Sequence, residues 1–70
     1  METKDLERIA NMRMPFGKYK GVILMDIPEH YVFWYYRKGL SDTSFDKIWS
    51  LLYEIRINGL MELVRPLRNS

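Results

Sequence analysis

Cysteine is absent from the sequence. That excludes disulfide stapling, thiolate metal sites and cysteine nucleophiles, and it fits a reducing compartment. Histidine occurs once, at His30, so no chemistry needing two imidazoles can be assembled. Long apolar runs are also missing. The longest, YVFWYY at 31–36, is far below the about 20 residues that span a bilayer. A strong charge imbalance is missing too: eleven Lys and Arg face nine Asp and Glu, a net +2. Such a balance favours anionic partners weakly and falls short of a protein that coats DNA. The first ten residues, METKDLERIA, are charged and do not read as a signal peptide. The expectation is a cytoplasmic protein with no membrane attachment.

What is present is aromatic. Two Trp, five Tyr and three Phe stand among 70 residues, with five Met beside them. A chain of this length holds one domain, 1–70, with no repeat, linker or low-complexity segment. Its core is tight for its size, and a homodimer would ease the shortage by burying one more face.

Periodicity places a first helix over 3–13, capped by Thr3 and carrying Leu6, Ile9 and Ala10 on one side. Pro15 stops it, since the residue before a proline avoids helical geometry. Met14–Phe16 and VILM at 22–25 then read as two short strands joined by GKYKG. Gly17 and Gly21 can take positive φ there. A second helix opens at Pro28 and ends at Gly39. The cap of a third falls at Asp42 or Thr43, and its stripe is Phe45, Ile48, Trp49, Leu52 and Ile55. Asn58-Gly59 ends it, and Leu60–Val64 add a short turn. The expected class is α+β: a small, mostly helical domain with one two-stranded antiparallel β-hairpin packed on three to four helices. Phe16, Val22 and Leu24 form the face of the hairpin that rests on the helices.

Three features are candidate sites. The loop GKYKG has phosphate-loop composition without Walker spacing, because Gly21 is followed by Val22 and not by Lys-Ser or Lys-Thr. NTP hydrolysis is rejected, while anion contact survives. Arg13, Lys18 and Lys20 can meet phosphates while Tyr19 stacks on a base. The plainer explanation is a turn kept solvated by lysines, and Arg65 and Arg68 would add to such a basic patch. The second feature is the helix PEHYVFWYYRKG. Six consecutive apolar or aromatic residues cover every face, whereas a surface helix shows one stripe. Tyr31, Trp34, Tyr35 and Tyr36 are therefore candidate interface residues, with core on one side and a partner on the other, a plainer reading than exposed rings that stack on bases. The third is Asp26, Glu29 and His30, whose D-x-x-E-H spacing could hold a weak divalent ion. A capped helix start with favourable acidic residues and a surface histidine is much the plainer explanation. No catalytic residue, metal ligand or cofactor is assigned. Glu54 and Arg56 read as the solvated end of the third helix.

The segments MPFGKYKG, DIPEHYVFWYYRKG, LLYEIRINGL and LVRPL resemble a family of small bacterial proteins of unknown function. It is labelled putative quorum-sensing-regulated virulence factor, and the likeness runs from about Leu6 to Leu67. A PFGK-x-KG segment before an aromatic helix is also similar to short domains attached to exonuclease-type proteins of the DnaQ kind. The first resemblance implies a compact cytoplasmic module without catalytic residues to carry over. The second implies nucleic-acid contact through Lys18, Lys20 and nearby aromatics, in an accessory role, because the acidic clusters of a nuclease are missing. The leading expectation is a non-enzymatic interaction module, self-associating through the aromatic helix. The alternative is a nucleic-acid-binding accessory using the basic loop. An enzyme built on Asp26, Glu29 and His30 stands below both.

Overall fold

The computed structural model describes residues 3–41 and 43–68. Three α-helices carry the fold: α1 (Thr3–Asn11), α2 (Glu29–Arg37) and α3 (Ser44–Ile57). Short 3-10 turns lie at Leu24–Asp26, Met61–Leu63 and Arg65–Leu67. The expected Thr3 and Asp42 caps rest on side chains outside the described part of the chain.

The expected β-hairpin is not formed, and the class is corrected from α+β to helical. Among the described residues the β-type pairing is one isolated antiparallel bridge, Arg13 with Ile23. Three backbone bonds hold the two segments together: Met14 N–H to Val22 C=O at 2.8 Å, Gly21 N–H to Met14 C=O at 2.8 Å and Leu24 N–H to Met12 C=O at 2.9 Å. The pairing cannot grow in either direction. On one side the Met12 N–H is still bonded to Arg8 C=O as the tail of α1, and Leu24 already opens a 3-10 turn. On the other side Pro15 has no N–H to extend a ladder. The same bridge ends α1 two residues earlier than its periodicity suggests. The result is a closed loop over 14–22, with both of its bracketing glycines at positive φ: 81° at Gly17 and 90° at Gly21.

Helix α2 begins one residue later than expected, at Glu29. Pro28 is the cap, and its carbonyl accepts from the Tyr31 and Val32 N–H groups at 3.0 and 3.2 Å. Helix α3 is capped by Thr43, whose hydroxyl accepts the Asp46 N–H at 3.2 Å. Its other end closes at Gly59, which has φ 65°, and the Leu60 N–H reaches back to Ile55 C=O at 2.9 Å. This satisfies a carbonyl that the helix end would otherwise leave open.

The core gathers Ile9 and Ala10 of α1, Met14, Leu24, Met25 and Ile27 of the middle segment, and Val32 of α2. Ile48, Trp49, Leu52 and Ile55 of α3 and Val64 complete it. The α3 stripe is therefore core as expected, with Phe45 half-buried at its edge. Trp49 is fully buried, and its indole N–H donates to the Val32 carbonyl at 3.2 Å, which fixes α2 on α3. Of the expected hairpin face, Leu24 is sealed but Phe16 is exposed.

Arg56 corrects the reading of a solvated helix end. Its guanidinium turns inward, and Nη2 donates to the Met25 and Ile27 carbonyls at 2.6 and 2.8 Å. Burial pulls its pKa down from the ordinary arginine value, while the Glu29 and Asp26 carboxylates act against that shift. The donor bonds offset the cost of removing the charge from water. Arg65 and Arg68 are also drawn away from the loop: Arg65 pairs with Glu62 at 2.9 Å, and Arg68 pairs with Asp26. No helix among the described residues is long and apolar enough to cross a membrane.

Candidate functional site

Each residue of an α-helix advances about 100°, so the six residues YVFWYY must fan around α2. Val32 points inward and is sealed. Phe33 meets Tyr53 edge-on at 5.3 Å, and Tyr36 stacks flat on Tyr53 at 3.8 Å and 6°. The remaining three, Tyr31, Trp34 and Tyr35, share the opposite flank with His30 and Lys38. Positions 30, 31, 34, 35 and 38 are three and four apart, and they form one stripe.

That stripe faces the 14–22 loop, and a groove of about 700 Å³ runs between them. The loop contributes Phe16, Gly17 and Lys18, α2 contributes His30, Tyr31, Trp34 and Tyr35, and Lys38 comes from its C-cap. Trp34 is 51% exposed and Phe16 is 44% exposed, so two large rings stand in water at its walls. The Lys38 ammonium lies 4.7 Å from the centre of the Trp34 ring.

The floor is held in place from behind. Tyr31 is braced edge-on by Tyr19 at 4.7 Å and contacts Trp34 at 5.3 Å. Tyr35 packs on Trp49 at 4.7 Å, and its hydroxyl donates to Asp46 Oδ1 at 3.2 Å. The other oxygen of Asp46 accepts from the Ser41 N–H at 2.8 Å and the Ser41 hydroxyl at 2.7 Å. These bonds, led by the Ser41 backbone N–H, hold the Asp46 carboxyl below its ordinary pKa despite burial. Burial first, then the Asp46 charge and hydrogen bond, push the Tyr35 phenol up. The pair is therefore a carboxylate and a neutral phenol, a charge-assisted bond that fixes the ring.

The two sets of candidate residues converge only in part. Lys18 of the basic set and Tyr31, Trp34 and Tyr35 of the interface set line one groove. Tyr19 stands behind it. Arg13 does not reach it: its Nη1 donates to the Gly21 carbonyl at 2.7 Å and ties the base of the loop. Lys20 is exposed outside the groove lining, and Tyr36 is on the far side of α2, against Tyr53. Phe16, His30 and Lys38 were not singled out as groove residues, although the 30-31-34-35-38 spacing carries the signal for two of them. Asp26 is engaged by Arg68, Glu29 opens α2, and His30 is on the rim. No group of three or more His, Asp or Glu among the described residues stands close enough to hold a metal ion.

Residues 2–67 match the model of the family described as putative quorum-sensing-regulated virulence factor. The chain belongs to this family. It is 42% identical over 69 residues to uncharacterized protein YpeB of Escherichia coli strain K12, across 97% of this chain and 96% of that one. The same figures hold for uncharacterized protein YpeB of Escherichia coli O157:H7. No solved structure matches. For the quorum-sensing-regulated virulence factor family the description names a mode of regulation and no ligand. The chemistry of this member is therefore read from its groove.

Proposed function

We propose that this family member is a non-enzymatic binding module that holds its partner in the groove between the 14–22 loop and α2. The observation that carries the reading is Trp34: a tryptophan half in water, at the centre of an aromatic wall whose other rings are braced from behind. Water is a poor neighbour for so large an apolar face, and an indole left half in solvent beside braced rings supports a contact surface. Its rings are already fixed, so little side-chain entropy is lost on docking. Acid–base catalysis would need a tuned partner for His30 within hydrogen-bond reach, and Asp26, the acid four residues before it, is committed to Arg68.

Self-association belongs to the same reading, with a narrower surface than the helix sequence suggests. Tyr36 is spent on Tyr53, which leaves Tyr31, Trp34, Tyr35 and Phe16, so a second copy would compete with any other occupant for the same rings. A cytoplasmic setting is part of the proposal, supported by the cysteine-free composition.

The test compares wild type with Trp34→Ala as bait in a cell extract, with sedimentation velocity to read self-association. Retention of partner, or the dimer fraction, is expected to fall about tenfold or more, equal to ~1.4 kcal/mol, with an unchanged circular dichroism spectrum. Equal retention and an equal sedimentation profile in both proteins would remove the groove from consideration.

A further inference from the structure

We infer that the occupant of the groove is single-stranded nucleic acid, with bases stacked on Trp34 and Tyr31 and phosphates held by Lys18 and Lys38. The inference rests on the groove being the binding site, and goes beyond it by naming the partner.

The lining chemistry decides between partner classes. Every residue that lines the groove is aromatic, basic, histidine or glycine; none is aliphatic and none is acidic. A groove for an amphipathic helix presents an apolar surface for aliphatic anchors and does not need cations at its walls. Proline-rich peptides do dock between aromatic rings, but they bring no negative charge for two lysines. A flexible single strand supplies both complements at once: planar faces for the rings and phosphates for the ammonium groups. Stacking platforms beside a positive track are the recurring device for single-strand binding.

The lysines are available for this. The ion pairs among the described residues use Arg8, Arg65 and Arg68. Lys18 and Lys38 instead sit over rings, 5.6 Å from the Tyr19 centre and 4.7 Å from the Trp34 centre. An exposed cation–π contact is weak, weaker than a charge-assisted bond to a phosphate. A phosphate therefore draws the Lys38 ammonium off the indole, and the uncovered face becomes a seat for a base. The two lysines stand on opposite walls, one on the loop and one on the helix. His30 and Lys38 are eight residues apart, about 12 Å along the helix axis, so the track is longer than one nucleotide.

The geometry also separates this from a purely electrostatic patch. Arg13 is held by Gly21, and Lys20 stands outside the groove. A charge-only site would use Lys20 as readily as Lys18.

The experiment titrates the full chain with a fluorescein-labelled oligothymidylate and with heparin, at several salt concentrations. Tryptophan emission is read in wild type and in Trp34→Phe, which keeps a ring but leaves only the buried Trp49 to emit. Expected are saturable oligonucleotide binding and quenching of the Trp34 emission, with affinity that falls with salt. The salt slope should drop by about one for Lys18→Ala and for Lys38→Ala, and stay unchanged for Lys20→Ala. Trp34→Ala should lose about tenfold or more; Trp34→Leu, checked by circular dichroism, guards against a folding failure. Absence of oligonucleotide binding at low salt overturns the inference. So does binding that heparin matches with no change in Trp34 emission, or binding equally dependent on Lys20. A proline-rich or other protein retained from nuclease-treated extract by wild type and released by Trp34→Ala, without oligonucleotide binding, overturns the nucleic-acid assignment and leaves the groove reading standing. Retention indifferent to Trp34→Ala overturns the groove reading itself.

Discussion

The ammonium of Lys38 stands 4.7 Å from the centre of the Trp34 ring, one helical turn back on the same flank of α2. Residues four apart on a helix are neighbours, so the contact is local and needs no tertiary help. It places a cation against an indole that is half in solvent, whereas the other tryptophan, Trp49, is fully sealed.

Quenching of intrinsic fluorescence should therefore divide the two. Acrylamide and iodide are expected to quench Trp34 and spare Trp49, and Trp34→Phe should abolish most of the quenchable fraction. Lys38→Ala should weaken quenching by iodide, an anion drawn by the ammonium, and leave acrylamide quenching unchanged. Equal effects on the two quenchers would show that Lys38 does not shape the field at Trp34.

Asp46, bonded to Ser41 and to Tyr35, makes a pH-dependent contribution to stability. Asp46 has its folded-state pKa depressed below the ordinary 3.8, chiefly by the Ser41 backbone N–H and then by the Ser41 hydroxyl. A depressed carboxyl favours the fold when ionised. The stabilisation is fully present above the ordinary carboxyl value and is lost as pH falls through the depressed one. Urea melts between pH 6 and pH 3 should show stability falling at the acid end, and Asp46→Asn should flatten that part of the profile. Asp46→Ala at neutral pH should cost about 1.5–3 kcal/mol, the range for hydrogen bonds to a charged group. An Asp46→Asn profile parallel to wild type would contradict the assignment.

Arg56 links the end of α3 to the turn that launches α2. Replacing it with Met would leave the Met25 and Ile27 carbonyls without their donor, at a cost of about 1–3 kcal/mol. Hydrogen exchange should quicken at the Tyr31 and Val32 amides, which hang from the adjacent Pro28 carbonyl. Arg56→Lys, with a single ammonium in place of the planar guanidinium, should recover only part of the loss. A stability change below about 0.5 kcal/mol for Arg56→Met, the level of an ordinary surface substitution, would contradict the role.

The two loop glycines should respond differently to alanine. Both have positive φ, so each substitution carries backbone strain of about 1 kcal/mol. At Gly17 the added Cβ would also stand 3.1 Å from the Tyr31 hydroxyl, whereas at Gly21 it meets nothing within 4 Å. Gly17→Ala should therefore shift the near-ultraviolet circular dichroism of the tyrosines, and Gly21→Ala should lower stability without that change. Identical spectra for the two variants would deny the contact between loop and helix.

The helices were legible because their signals are local. The Phe45–Ile55 stripe, the proline before α2 and the glycine after α3 each act within a few residues, and each lies where its chemistry directs. The β-hairpin was misread because strand propensity at Val22 and Ile23 was weighed without its neighbours. Helix α1 on one side, a 3-10 turn and Pro15 leave room for three backbone bonds and no ladder. Arg56 was invisible for a different reason: the carbonyls that hold it lie 31 and 29 residues away in the chain. The groove was half legible. The basic loop and the aromatic helix were each recognised, but as separate sites, since only the closure of the loop against α2 joins Lys18 to Trp34. That closure also discards Arg13, Lys20 and Tyr36 from the lining.

The most direct measurement is a nitrogen–proton correlation spectrum of the labelled protein during titration with oligothymidylate. Its two tryptophan indole signals report the groove and the core separately. The expected result is a progressive shift of the Trp34 indole, accompanied by the Gly17 and Lys18 amides, while the Trp49 indole stays bonded to Val32 and does not move. Shifts confined to Arg13 and Lys20, or a spectrum that the oligonucleotide leaves unchanged, would contradict it.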